Sequence, residues 1–121
     1  MKKIIFVIPQ LFEPLDLSGP VQVFTEAKLY GFNIEIEFYS ISPNTVCSAG
    51  LPLGNIKNYK EAQLQESDFV FIPGMNFEVL QEKLLTENAF FKWLADCSKK
   101  NINICSVCNA AFFFRRGGFV R

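Results

Sequence analysis

The sequence predicts an α/β domain in which a mostly parallel sheet is flanked by helices in three layers. Two observations favour this class: short apolar runs typical of buried strands recur along the chain, and amphipathic segments of helical length separate them. Strands that alternate with helices form parallel sheets, because a right-handed helical crossover brings the chain back to the same edge. The 121 residues correspond to the size of one domain.

Four segments are predicted strands. Residues 3–9 (KIIFVIP) and 68–73 (DFVFIP) are nearly continuous apolar runs, as in strands that are covered on both faces. Residues 33–42 (NIEIEFYSIS) begin with alternating apolar and acidic side chains, which favours a position nearer to the sheet edge. Residues 101–107 (NINICSV) form the last predicted strand.

Helices are expected between these strands. Pro20 suits the first turn of a helix, Ser18 is a candidate N-cap, and Gly31 suits the left-handed position after a helix. A segment rich in Ser, Gly and Pro, residues 44–55, is predicted to be a turn or short hairpin. The predicted helices are 20–30, 59–66, 78–85, 88–100 and 110–114.

Composition and charge exclude several classes of protein. Half of the residues are hydrophobic, which is far too apolar for a disordered chain. Twelve basic residues balance twelve acidic ones, so we expect no direct nucleic-acid contact and no attraction to anionic lipid. We find neither a signal peptide nor an apolar run of the ~20 residues that span a membrane, and we expect a cytoplasmic protein with reduced thiols.

Cys105 and Cys108 are spaced C-x-x-C, a pattern found in redox and zinc sites. A redox pair normally opens a helix, whereas Cys105 lies in a predicted strand. A zinc site would need a second pair of ligands, and the chain contains no His. We therefore predict no metal and no cofactor.

Cys108 lies where the last predicted strand turns into a helix. Such a sharp turn exposes a nucleophile above the sheet, and small residues must follow it because the helix packs close to the strand. Ala110 and Ala111 meet that requirement. The free N–H groups at a helix N-terminus stabilise a thiolate. The alternative is a buried structural cysteine, which is a common core residue.

Two further candidates follow the ends of other predicted strands. Asp16 precedes the first helix, where a carboxylate either caps the helix or hydrogen-bonds a nearby sulfur and transfers protons. Gly74 and Met75 follow the strand 68–73. A glycine there lets its N–H approach a bound oxygen, and with the N–H of Asn109 it could form an oxyanion hole; an ordinary turn is the alternative.

Taken together, these segments resemble the ThiJ/PfpI superfamily of the class I glutamine amidotransferase-like, flavodoxin-like fold, and most closely the amino-terminal domain of AraC-type transcriptional regulators. The segments that carry the resemblance are 15–24 (LDLSGPVQVF), 68–74 (DFVFIPG) and 105–112 (CSVCNAAF). The resemblance implies that Cys108 is the elbow cysteine, that Asp16 contacts its sulfur and that Gly74 lies on the oxyanion side. It covers nearly the whole chain, so residues 1–121 are assigned to one partial domain of this type.

The chain departs from the family pattern in three places. Relatives of the isocyanide hydratase kind have a threonine after the cysteine, and the regulators commonly have Thr-Gly, where this chain has Asn109 and Ala110. Many members carry a His shortly downstream, and none is present here. Members also continue into further strands and helices, so we expect a fold that is incomplete at its C-terminus.

Three functions follow from the resemblance and the candidate site. The first is the ligand-sensing or dimerisation part of an AraC-type regulator, with Cys108 lining a small-molecule pocket. The second is a thiol enzyme similar to isocyanide hydratase, and the third is a reactive-thiol domain without catalysis. We also expect a homodimer, because an incomplete domain leaves a sheet edge and apolar faces uncovered.

Overall fold

The computed structural model describes residues 1–86 and 88–111. Five strands form one parallel sheet in the order β3-β2-β1-β4-β5, with helices on both faces. The α/β class and the three-layer arrangement predicted from the sequence are confirmed. The elements are β1 (Lys2–Ile8), α1 (Pro14–Leu29), β2 (Ile34–Ser40), β3 (Lys57–Asn58), a 3₁₀ turn (Tyr59–Glu61), β4 (Phe69–Ile72), α2 (Phe77–Thr86), α3 (Asn88–Lys99), β5 (Asn103–Ser106) and a second 3₁₀ turn (Cys108–Ala110).

The central strand β1 separates two apolar clusters. Successive side chains of a strand point to opposite faces, so one apolar run supplies both. Ile4, Phe6 and Ile8 pack against the inner face of α1, while Ile5 and Val7 pack beneath α2 and α3. All five are at most 4% exposed, which explains why the run is continuous rather than alternating.

Helix α1 begins six residues earlier than the sequence analysis predicted. Pro14, not Pro20, occupies the first helical turn, and Glu13 is the N-cap residue in place of Ser18. Pro20 therefore lies inside the helix, where it has no N–H to donate to the carbonyl of Asp16 one turn earlier. The consequence for the site is that Asp16 lies in the first turn of a helix rather than in a loop.

The prediction of a helix over residues 59–66 is wrong, because only the 3₁₀ turn Tyr59–Glu61 forms. Asn58 accepts a hydrogen bond from the Lys60 N–H and begins the turn, but Ala62 is already extended. Buried Tyr59 meets the rings of Phe90 and Trp93 edge-on, at centroid distances of 5.0 and 5.1 Å. This packing holds the segment against α3 without a longer helix.

The remaining boundaries follow the prediction closely. Strands β1, β2, β4 and β5 and helices α2 and α3 differ from the predicted ranges by one or two residues at an end. Residues 44–55 form the predicted turn, closed by a bridge between Val46 and Pro52. The predicted helix 110–114 lies outside the described residues from 112 onward. In the described part of the chain, no helix has the length and apolar character to cross a membrane.

Candidate active site at the carboxyl edge of the sheet

Three loops meet where β1, β4 and β5 end, as expected at the carboxyl edge of a parallel sheet. The Glu13 N–H donates to the Gly74 carbonyl at 2.8 Å, and the Asn76 N–H donates to the Leu11 carbonyl at 2.9 Å. The Val107 N–H donates to the Ile72 carbonyl at 3.0 Å, which extends the pairing of β4 and β5 up to the turn. These backbone hydrogen bonds fix the loops relative to one another.

Cys108 is the first residue of the second 3₁₀ turn, which follows β5, and its backbone is strained. Its φ is +56°, in the left-handed region, whereas Val107 before it is still extended. A non-glycine residue in this region costs on the order of 1–3 kcal/mol, and such strain is common at functional sites. The side chain of Cys108 is exposed. The strand therefore ends in a sharp turn that presents the thiol to solvent.

Gly74 is the point at which the predicted site residues converge. A Cβ built on Gly74 would lie 2.6 Å from Asp16 Oδ2, 2.9 Å from Asn109 Oδ1 and 3.0 Å from Cys108 Cβ. All three distances are shorter than ordinary van der Waals contact, so a larger residue at this position would have to displace these neighbours. The structure thus brings together four residues that lie as much as 93 positions apart in the sequence.

Asp16 directs an unpaired oxygen into this space. Its Oδ2 atom is buried and forms no hydrogen bond with any residue in the described ranges. A buried carboxyl oxygen without a partner is costly, on the order of 1–3 kcal/mol, so its presence calls for an explanation. Because this oxygen and the Cβ of Cys108 both lie within 3.0 Å of the same point at Gly74, the unpaired oxygen is close to the thiol-bearing turn.

The side chain of Asn109 joins two of the turns around the site, a role that the sequence did not predict. Its side chain accepts from the Met75 N–H at 3.0 Å and donates to the Met75 carbonyl at 2.8 Å. This two-point clamp ties the turn after β5 to the turn after β4. It also occupies the Met75 N–H, which is therefore not available to a bound oxygen.

Two other backbone donors remain available near Cys108. Neither the Gly74 N–H nor the Asn109 N–H donates to an acceptor in the described part of the chain. Both belong to residues that surround the turn. They are the pair expected for an oxyanion hole from the sequence, and their role stays a prediction.

Above these residues lies an open cleft with a volume of about 790 Å³. Its lining combines apolar side chains with carboxylates and the thiol, namely Glu13, Pro14, Leu15, Asp16, Ser18, Met75, Phe77, Cys108 and Asn109. Glu13, the N-cap residue of α1, was not among the residues predicted for the site, although it precedes Asp16 by only three positions. Glu13 Oε2 accepts a hydrogen bond from Ser48 Oγ at 3.1 Å.

The other thiols are shielded. Cys47 and Cys97 are buried and Cys105 is half-buried, which leaves Cys108 as the exposed cysteine. Burial raises the pKa of Cys97 to about 11, and it also raises the pKa of Cys105. Within the described ranges, no cluster of three or more His, Cys, Asp or Glu residues could hold a metal ion.

The family model of DJ-1/PfpI proteins matches residues 2–121. The chain belongs to the DJ-1/PfpI family. No curated protein matches it. Solved structures share the fold of this DJ-1/PfpI chain at low identity, among them the following three.

A candidate protease I from Bacteroides thetaiotaomicron is 14% identical with a TM-score of 0.80, and the match covers all of this chain and 71% of that one. An AraC family transcriptional regulator from Pseudomonas putida is 17% identical with a TM-score of 0.71, covering 98% of this chain and 62% of the regulator. A ThiJ/PfpI family protein from Pseudomonas syringae is 18% identical with a TM-score of 0.79, and the match covers 98% of this chain and 47% of that one. The DJ-1/PfpI chain therefore spans about half to two thirds of the length of the latter two.

Proposed function

We propose that this DJ-1/PfpI domain binds a small electrophilic molecule at the Cys108 cleft and acts as the ligand-sensing part of an AraC-type transcriptional regulator. The convergence of Asp16, Asn109 and Cys108 on Gly74 is the observation that carries the proposal. Such a packed group of polar side chains at the base of an open cleft is typical of ligand sites. Exposed Leu15 and Phe77 at the rim offer apolar contacts to a ligand.

The chemistry of the site fits reversible addition to a carbonyl or a similar group. The sulfur of Cys108 forms a bond to the electrophilic carbon, and the π electrons of that carbon move to the attached oxygen or nitrogen. The thiol proton passes to that heteroatom by way of Asp16, whose Oδ2 has no other partner among the described residues. The N–H groups of Gly74 and Asn109 stabilise the negative charge that develops.

Two observations support the proposed role in an AraC-type regulator. The Pseudomonas putida regulator shares its fold with 98% of this chain. Because the net charge is zero, this domain has no electrostatic attraction to DNA, and in a regulator another part would make the DNA contacts. Reading the genomic frame downstream of the Arg121 codon tests this part: we expect a helix-turn-helix coding region, and its absence in every frame would contradict the regulator role.

An amide NMR titration tests ligand binding at the cleft. The ¹⁵N-labelled chain is titrated with a panel of small aldehydes and an aromatic isocyanide. We expect at least one compound to shift the amide resonances of Gly74 and Asn109. The shifts should be smaller in Cys108→Ser than in the control Cys105→Ser, which removes a half-buried thiol three positions away. If no compound shifts these amides, the proposal of a ligand site fails.

A cysteine-dependent enzyme is the second candidate, favoured by the unpaired Asp16 oxygen beside the exposed thiol. In a hydratase of this kind, an isocyanide gains one water and becomes a formamide, with Cys108 forming the covalent intermediate. Incubation with para-nitrophenyl isocyanide separates the two functions. An enzyme accumulates formamide well beyond one equivalent of protein, whereas a sensor saturates. Equal turnover after Cys108→Ser would exclude the enzyme.

A further inference from the structure

We propose that the Cys108 cleft selects electrophiles that carry no negative charge. This inference rests on the proposed ligand site and names the class of molecule that it accepts. The cleft lining contains two carboxyl groups, Glu13 and Asp16, and the described lining contains neither Lys nor Arg. Carboxylates are ordinarily ionised at neutral pH, so an anionic ligand meets like charge in this cleft.

The hydrogen-bond partner of Glu13 does not neutralise the charge of the Glu13 carboxylate. Glu13 Oε2 accepts a hydrogen bond from the hydroxyl of Ser48. A hydroxyl is uncharged, so it orients the carboxylate without neutralising it. By contrast, the Glu37 carboxylate on β2 lies 3.6 Å from Lys3 Nζ, at a site remote from the cleft.

The N-terminus of α1 has the opposite effect on an anionic ligand. A helix N-terminus carries roughly half a positive charge, which attracts anions. Glu13 is the N-cap residue of α1, although its side chain makes no capping hydrogen bond, and Asp16 lies in the first turn, so up to two negative charges lie near that terminus. A full charge on Glu13 alone outweighs the helix dipole, and the cleft remains negative for an incoming ligand.

A pair of alkylating reagents isolates charge from other factors. Iodoacetamide and iodoacetate react by the same step: the Cys108 sulfur forms a bond to carbon, the carbon–iodine bond breaks, and iodide leaves with the electron pair. The reagents are of similar size, but only iodoacetate is an anion. The rate of modification of Cys108, followed by peptide mass spectrometry, is compared with that of N-acetylcysteinamide, a free thiol without a carboxylate, at the same thiolate fraction.

We expect the preference for iodoacetamide over iodoacetate at Cys108 to exceed that of the free thiol by about fivefold or more at low salt. Glu13→Gln should bring the preference most of the way to the free-thiol value, because it removes the charge and keeps the shape. Glu35→Gln, at the start of β2 and thus at the opposite edge of the sheet, is the matched control and should change nothing. High salt should reduce the preference in the wild-type chain, which tests the inference without any variant.

A preference equal to that of the free thiol, or one that survives both Glu13→Gln and high salt, would overturn the inference. Alkylation requires no natural ligand and no turnover. An NMR titration without shifts would therefore remove the ligand-sensing proposal while leaving the charge preference measurable. Loss of the preference alone would leave the ligand site standing and remove only its selectivity.

Discussion

A single missing side chain makes the candidate site possible. At Gly74, a Cβ would approach Asp16, Asn109 and Cys108 to between 2.6 and 3.0 Å. The backbone requires no glycine here, since the φ of Gly74 is not in the left-handed region. The requirement is one of space, and it comes from residues in the first turn of α1 and in the 3₁₀ turn after β5.

Replacement of Gly74 therefore tests the geometry of the site directly. Gly74→Ala should lower the free energy of unfolding by about 1–3 kcal/mol, because an overpacked site has to shift its neighbours. It should also change the alkylation rate of Cys108, whose Cβ lies against the new methyl group. Gly54→Ala is the matched control, because nothing lies within 4 Å of its Cβ position.

Urea denaturation and peptide mapping check both effects. For Gly54→Ala we expect a change within about 0.5 kcal/mol and an unaltered Cys108 rate. Equal behaviour of the two variants would mean that the loops around Gly74 are loose enough to absorb a methyl group, and that the convergence is not rigid.

At the scale of elements, four of the five strands could be predicted closely from the sequence, whereas the two-residue β3 and the start of α1 could not. Strand β1 is buried on both faces, and β4 is buried on one face and half-buried on the other; such continuous apolar runs have few alternative structures. Helix α1 contains two prolines that each suit a first turn. The choice between Pro14 and Pro20 depends on packing against the sheet, which local sequence does not encode.

The same contrast holds for the site. Cys108, Asp16 and Gly74 could be predicted to lie close together, because each follows the end of a parallel strand or precedes the next helix. The clamp of Asn109 on Met75 could not be predicted, since it joins two turns 34 positions apart through a side-chain amide. Glu13 was missed for a similar reason: its contact with Ser48 crosses 35 positions.

The core between the sheet and helices α2 and α3 should make stability sensitive to alkaline pH. Burial, together with a hydrogen bond to Glu37, raises the pKa of Tyr39 to about 12, and burial raises the pKa of Cys97 to about 11. The unfolded chain ionises these groups near their ordinary values of 10.0 and 9.0. Their contribution to stability is therefore complete below pH 9 and is lost as the pH rises toward 12.

Urea midpoints measured between pH 8 and pH 12 check this loss. We expect the urea midpoint to decline steadily above pH 9. In Tyr39→Phe, the decline above pH 10 should be less steep. Tyr30→Phe, which removes an exposed tyrosine at the end of α1, is the control and should leave the decline in place. A flat profile in the wild-type chain would show that neither buried group titrates differently in the folded state.

At the scale of the whole molecule, one group of exposed apolar side chains lies at the end of α1, and a further exposed apolar side chain lies on β2. Leu29, Tyr30 and Phe32 are 75%, 84% and 67% exposed, and Phe38 on β2 is 39% exposed. In the described sheet, β5 is an outer strand with one unpaired edge. Contiguous apolar surface and open strand edges favour association between chains.

We propose on these grounds that the chain forms a homodimer through the apolar surface at the end of α1. Light scattering should give twice the chain mass of 13.8 kDa at concentrations of tens of micromolar. Phe32→Glu should shift the mass toward that of the monomer, because dimerisation would bury its charge. Leu51→Glu is the matched control, since Leu51 is similarly exposed at 65% but lies in the loop before β3. A monomeric mass for the wild-type chain would contradict the proposal, and equal effects of the two variants would place the interface elsewhere.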